Sequence, residues 1–102
     1  MTIQEKKERI RNMVGKKAGL SQYYNLLEEM DDIKYDYNDY MITGPIKVEE
    51  ELKRVNNADY ELCTALLTML LREDRFSEGS FERRLYAGQV DVILERMLKV
   101  LG

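Results

Sequence analysis

Leu62-Cys63-Thr64-Ala65-Leu66-Leu67-Thr68-Met69-Leu70-Leu71 is the stretch that decides how this chain folds. Apolar residues stand at 62, 63, 65, 66, 67, 69, 70 and 71, which on a helix covers nearly every direction. A helix that is apolar all round has to be enclosed by other elements. It is too short for a bilayer, which needs about 20 apolar residues. It also runs straight into charge, at Arg72-Glu73-Asp74-Arg75-Phe76-Ser77-Glu78-Gly79. The reading is a central core helix over 62–71, with 72–79 as the corner where the chain leaves the core.

The flanking sequence supplies the enclosure. Glu78–Ala87 reads as a short helix stopped by Gly88 in the left-handed conformation. Gln89–Leu101 follows as a helix that buries Val90, Ile93, Leu94, Met97 and Leu101. Before the central helix, Asn57 is the expected cap, and Asp59 and Glu61 put negative charge in its first turn. Thr43-Gly44-Pro45 opens an earlier helix with Pro45 at the first helical position. Val48, Leu52 and Val55 face inward there, Glu49–Lys53 and Glu50–Arg54 pair outside, and Asn56-Asn57 ends it.

Towards the amino terminus, Ile33–Ile42 resists a regular reading. Ile33, Tyr35 and Tyr37 alternate as in a strand, whereas Tyr37, Tyr40 and Met41 fit one helical face. The stretch is read as irregular, with room for a short strand near 35–42. Ser21 caps a helix to about Asp32, with Leu20, Tyr23, Leu27 and Met30 inward and Tyr24 beside them. Thr2 caps the first helix, Thr2–Val14, and Gly15 and Gly19 punctuate the chain beyond it. Its apolar stripe of Ile3, Ile10, Met13 and Val14 is thin, so it packs at an edge or projects. The expected fold is all-α, one domain over 1–102, with about five helices around 62–71.

Composition agrees with that picture. A chain of 102 residues is long enough for one modest core without a metal or disulfide. With one proline and six glycines there is room for long helices. The sole cysteine, Cys63, lies in the apolar run and reads as a small buried hydrophobe in a reducing cytoplasm. A reactive thiol is the sharper alternative, but there is no histidine to activate it. Met1–Lys17 lacks the apolar run of a secretion signal, so the expectation is a soluble cytoplasmic protein, away from membranes.

Net charge is −3, unevenly distributed. Lys6, Lys7, Arg9, Arg11, Lys16 and Lys17 crowd the first helix and the loop after it. Glu28, Glu29, Asp31, Asp32, Asp36 and Asp39 crowd the next stretch against Lys34 alone. Such asymmetry speaks to partners and says nothing of the fold.

Catalytic chemistry has little to work with. The chain has no histidine and no CxxC, GxSxG, P-loop or GxGxxG pattern. Glu49-Glu50-Glu51 are consecutive and fan out around a helix, so they cannot converge on one ion. Glu28, Asp31 and Asp32 share a face at i, i+3, i+4, which on a surface helix is a solvated face before it is a metal site. No metal and no cofactor is expected. At the corner, Phe76 is expected to fold back onto the core. Arg72 and Arg75 then tie carbonyls and the carboxylates of Glu73, Asp74 and Glu78 as fork-like structural arginines. The competing reading is a basic pocket for phosphate or carboxylate, with Arg83 and Arg84 one turn on. Four acids (Glu73, Asp74, Glu78, Glu82) match those four bases and weaken it.

The stretch from Leu66-Leu67-Thr68 through Arg72-Glu73-Asp74-Arg75-Phe76-Ser77-Glu78-Gly79 and Gly88 to Ile93-Leu94-Glu95-Arg96-Met97 resembles an uncharacterised family of small prokaryotic helical domains. Its members carry a leucine–threonine helix, then Arg-x-Glu-Arg-Phe-x-x-Gly, a second glycine and an Ile-Leu-x-Arg-Leu ending. The resemblance covers roughly 62–97. Asp74 stands where the pattern has glutamate and Met97 where it has leucine. Ser77-Glu78 and Ser80-Phe81 stand where cysteine, aspartate, histidine and tryptophan-like residues are frequent. Any thiol- or histidine-dependent role in relatives would be missing here. The resemblance implies a helical fold, with Arg72, Asp74, Arg75, Phe76, Gly79 and Gly88 as a structural signature, and implies no activity.

The functional expectation is a small non-enzymatic protein-interaction module, an accessory or inhibitory protein of bacterial or phage origin. Its contact surface is the acidic, tyrosine-rich stretch Glu28, Asp31, Asp32, Tyr35, Asp36, Tyr37, Asp39 and Tyr40, and its partner is a basic protein. The rival is a nucleic-acid binder using the basic residues of 6–17, although no aromatic interleaves with them for stacking. A third reading, an enzyme resting on Arg72, Arg75 and a carboxylate, has the least support.

Overall fold

The computed structural model describes residues 1–102. Six α-helices, two of them short, follow one another without a strand: α1 (Ile3–Met13), α2 (Leu20–Glu29), α3 (Val48–Leu52), α4 (Tyr60–Glu73), α5 (Ser80–Tyr86) and α6 (Gln89–Leu101). One-turn 3₁₀ segments at Tyr37–Tyr40 and Val55–Asn57 fill the α2–α3 and α3–α4 connections. The stretch 33–42 is therefore irregular with a helical turn, and the room left for a strand is not used.

α4 is the centre. Every residue from Cys63 to Leu71 is buried, and α2, α3, α5, α6 and the 37–40 turn all pack on it. Its two buried threonines donate within the helix, Thr64 Oγ1 to the Glu61 carbonyl and Thr68 Oγ1 to that of Thr64, both at 2.8 Å, and Thr68 Oγ1 also accepts the Lys34 amide at 3.2 Å. A hydroxyl bonded back to the preceding turn needs no outside acceptor, so an otherwise apolar helix carries it without an orphaned donor. Asp59, not Asn57, caps α4, its Oδ1 accepting from the Leu62 amide at 2.8 Å. Asn57 is used up in the preceding 3₁₀ turn.

α6 occupies the predicted span and buries Val90, Ile93, Leu94 and Met97, with Leu101 half-buried against the core. α1 carries the expected cap in reciprocal form, Thr2 and Glu5 each accepting the other's amide at 3.1 Å. It lies along α6 at the edge of the fold, with Ile10 alone fully buried. α2 starts one residue before the expected cap, after Gly19, so Ser21 is an ordinary exposed helix residue. α3 is shorter than expected. Thr43 Oγ1 accepts the Lys47 amide at 2.8 Å, which holds the chain in a turn through the cis Gly44–Pro45 bond and delays the helix to Val48. Because α3 ends at Leu52, the expected i,i+4 pairs do not form; Lys53 bonds Glu50 and Arg54 bonds Glu51, both three residues apart.

Candidate functional site

The acidic stretch is shaped by how α2 ends. Asp31 takes a left-handed backbone (φ 58), and its amide and that of Asp32 turn back to the Glu28 and Leu27 carbonyls. This turn destroys the helical face that Glu28, Asp31 and Asp32 were expected to share. Asp31 stays exposed while Asp32 is carried inward, to 8 % exposure. There its Oδ2 accepts from Lys6 Nζ at 2.9 Å and from the Tyr60 hydroxyl at 2.5 Å. Asp32 thus ties α1 and α4 to the end of α2 and is not a partner contact. Burial, reinforced by the bond to Asp32, holds the Tyr60 hydroxyl far above the usual phenol range.

The surrounding charges are paired across elements. Arg9 bonds Glu29 and Lys34 bonds Glu61. Burial opposes the charge on Lys34, but Glu61 outweighs it and raises the pKa. Lys17 points its ammonium at the Tyr86 ring, 5.4 Å from the centroid. Half of the basic set proposed for nucleic acid is therefore engaged internally, leaving Lys7, Arg11 and Lys16 without a carboxylate partner. In the acidic stretch, Glu28, Asp31, Asp36 and Asp39 are exposed and make no ion pair. Tyr35 is 74 % exposed beside them, whereas Tyr37 and Tyr40 are half-buried, Tyr37 against the core.

The far end of the stretch is anchored by a residue the sequence reading placed on a fanned-out surface trio. Glu51 is fully buried. Its Oε2 accepts from the Ile42 amide (3.0 Å), the Thr43 amide (2.7 Å) and Thr43 Oγ1 (2.5 Å), and its Oε1 from Arg54 Nη1 (2.8 Å). Arg54 Nη1 also donates to the Tyr40 carbonyl at 2.8 Å. Burial alone would raise the Glu51 pKa, but these donors hold it below the ordinary carboxylate value. Glu51 stands three residues after Val48 and four before Val55, on the inward stripe, and that spacing was the available signal.

The corner at 72–79 departs from expectation. Phe76 is 89 % exposed and does not fold back onto the core. Successive amides at 75–77 bond the Arg72 and Glu73 carbonyls, forming tight turns that continue α4 outward and leave Phe76 at the tip. Arg75 is exposed and makes no ion pair, and Arg72 lies over the Tyr35 ring at 5.8 Å. The structural arginine is Arg84. Its Nε and Nη2 form a fork on Glu73 at 2.6 and 2.9 Å, and its Nη1 reaches Glu49 at 2.6 Å and Gln89 at 3.0 Å. The Glu73 bonds in particular raise its pKa. Of the other signature residues, Asp74 accepts the Phe81 amide at 3.1 Å, and Gly79 and Gly88 take the left-handed conformation (φ 83 and 85) that starts α5 and α6.

The Cys63 thiol is buried, and that burial pushes its pKa up to about 11. The cleft beside Arg84, about 380 Å³, has its guanidinium already matched by two carboxylates. No three Cys, Asp or Glu side chains converge as metal ligands. No helix is long and apolar enough to cross a membrane.

Comparison with known families covers nearly the whole chain, not only its second half. Residues 5–102 match a family of unknown function, DUF6508. The chain belongs to that family. The match includes α1 and α2, beyond the 62–97 stretch on which the resemblance in the sequence rests. No curated protein and no solved structure matches the chain significantly.

Proposed function

We propose that this chain is a non-enzymatic protein-interaction module that engages a basic protein through the exposed part of the 28–40 stretch. The contact set is Glu28, Asp31, Tyr35, Asp36 and Asp39, with Tyr37 and Tyr40 as the packed base that holds them. One observation carries the reading: four carboxylates of the 28–40 stretch lie exposed and unpaired, and Tyr35 within that stretch is 74 % exposed, while Glu29, Asp32 and Glu61 are all bonded to lysine or arginine. Unpaired carboxylates steer a basic partner and raise its association rate, and an exposed tyrosine supplies buried area once the partner is seated. The cytoplasmic setting inferred from the free thiol suits such a role.

The test separates the surface from the scaffold. Asp31→Asn/Asp36→Asn/Asp39→Asn leaves Asp32 in place, and asparagine tolerates the left-handed backbone at 31. Its melt should match the parent. Capture of basic proteins from host lysate, quantified by mass spectrometry, should fall with a weaker salt dependence. Tyr35→Ala should lose capture with no change in melting. An unchanged capture profile at low salt for both variants rules the surface out.

A further inference from the structure

We propose that the groove between the α1–α2 loop and α5 is a docking site for a lysine or arginine side chain of a basic peptide segment, which enters by displacing the chain's own Lys17. It shares with the preceding reading the premise of a basic partner but concerns a separate surface. The groove encloses about 450 Å³, within the size range of ligand sites and roomy enough for a long cationic side chain with an apolar neighbour. Its apolar lining includes Leu20, Phe81 and Leu85, and Phe81 is fixed from behind by the buried Tyr23 ring at 5.2 Å. Tyr86 forms a wall and is 62 % exposed.

The charges on this groove are out of balance. Asp74, Glu78 and Glu82 all line it, and none forms an ion pair. Asp74 spends one oxygen on the Phe81 amide. The one cation present is Lys17, which sits over the Tyr86 face and donates to the Leu85 carbonyl at a long 3.4 Å. That ammonium shows what the site accepts: a cation on an aromatic face beside the Leu85 carbonyl, which also accepts the Gly88 amide. No carboxylate reaches the ammonium, and its polar contacts are that ring face and that long hydrogen bond. An incoming segment brings a cation together with an apolar neighbour for the floor. The carboxylates of Glu78 and Glu82, with the remaining oxygen of Asp74, then favour a basic segment over a neutral or acidic one.

The probe is the blocked peptide Ac-Leu-Arg-Leu-Arg-NH₂, titrated into the ¹⁵N-labelled full chain, with Ac-Leu-Glu-Leu-Glu-NH₂ as control. Amide shifts should centre on Gly19, Gly79 and Tyr86 with the arginine peptide alone. Lys17→Gly removes the resident cation and suits the left-handed backbone at 17 (φ 49); it should tighten binding about fivefold, the scale of one exposed cation–π contact taken out of competition. Glu78→Gln/Glu82→Gln alters only exposed side chains and should weaken binding by at least about tenfold. Shifts confined to 28–40 would overturn the groove while leaving the acidic-stretch reading standing. Shifts scattered over every acidic patch, equal affinity for Lys17→Gly and parent, or no binding by either would overturn it as well.

Discussion

The turn at 40–54 and the corner at 72–79 are written in the same residues, arginine beside several carboxylates, and the molecule uses them in opposite ways. At 40–54 the carboxylate of Glu51 is fully buried and holds four donors, so the turn is part of the scaffold. At 72–79 the carboxylates face elsewhere, Glu73 to Arg84 and Asp74 to the Phe81 amide, and Arg75 and Phe76 are left at the surface. The difference is one of reach. Glu51 finds its partners at Ile42, Thr43 and Arg54, nine residues away at most. The corner's own arginines make no ion pair with the carboxylates beside them: Arg72 lies over the Tyr35 ring and Arg75 is exposed.

The largest effect that sharpens this contrast is expected at Glu51. Glu51→Ala leaves two amides, a hydroxyl and the Arg54 guanidinium unpaired in a buried site. Losing one member of a buried charged pair costs about 3–5 kcal/mol, out of the roughly 5–15 kcal/mol of a whole domain. Thermal melting should drop by more than about 12 °C at this chain length. The same group gives a pH signature. Its folded pKa lies below the unfolded value of 4.5, so its stabilisation is complete above that value and is lost as pH falls through the folded one. Glu49, held low chiefly by Arg84, acts in the same direction. Stability should be level from neutral pH to near 5 and decline in acid, and Glu51→Gln should flatten part of that decline. A Glu51→Gln protein with the parent's acid profile would mean the turn is not built on this carboxylate.

How much of this was readable depended on whether the determining contact was local. The apolar faces of α4 and α6 are complete within their own sequences, and the span of α6 was legible to the residue. Starts of helices failed where Asp59, read as first-turn charge, is the cap in place of Asn57, or where Gly19 served without a side chain. Arg84 was hidden because its partners lie 11 and 35 residues away. Asp32 looked like surface until the backbone at Asp31 turned it inward. In the candidate site, five of eight residues are exposed as a contact surface needs, and the other three were hidden by that turn and by the packing of the 37–40 segment.

A mid-sized effect tests which arginine holds the corner. Arg84→Ala removes the fork from Glu73, both side chains being less than one-fifth exposed. The cost should be about 2–3 kcal/mol, below the fully buried case because solvent reaches one side. Arg75→Ala should stay within about 0.5 kcal/mol, as befits a surface substitution. Urea unfolding of the two variants checks the ranking. If Arg75→Ala proved the costlier, the corner would be knitted by its own arginines and the contrast with 40–54 would vanish.

The smallest expected effect is at Phe76, and it is the most telling because a phenylalanine is involved. A buried phenylalanine truncated to alanine costs about 3–5 kcal/mol through transfer and cavity terms. Neither term applies to a ring that is 89 % exposed at the tip of a turn. Its backbone is fixed independently, by the 76 and 77 amides on the Glu73 carbonyl, and α5 is started by Asp74 and Gly79 without help from the ring. Phe76→Ala should therefore change the urea unfolding free energy by no more than about 0.5 kcal/mol and leave the spectrum of α5 unchanged. Amide exchange gives a second readout: protection of the Phe81 amide, bonded to Asp74, should be the same in variant and parent. A loss of several kcal/mol, or of that protection, would put the ring back against the core and make the corner a buried turn like the one at Glu51.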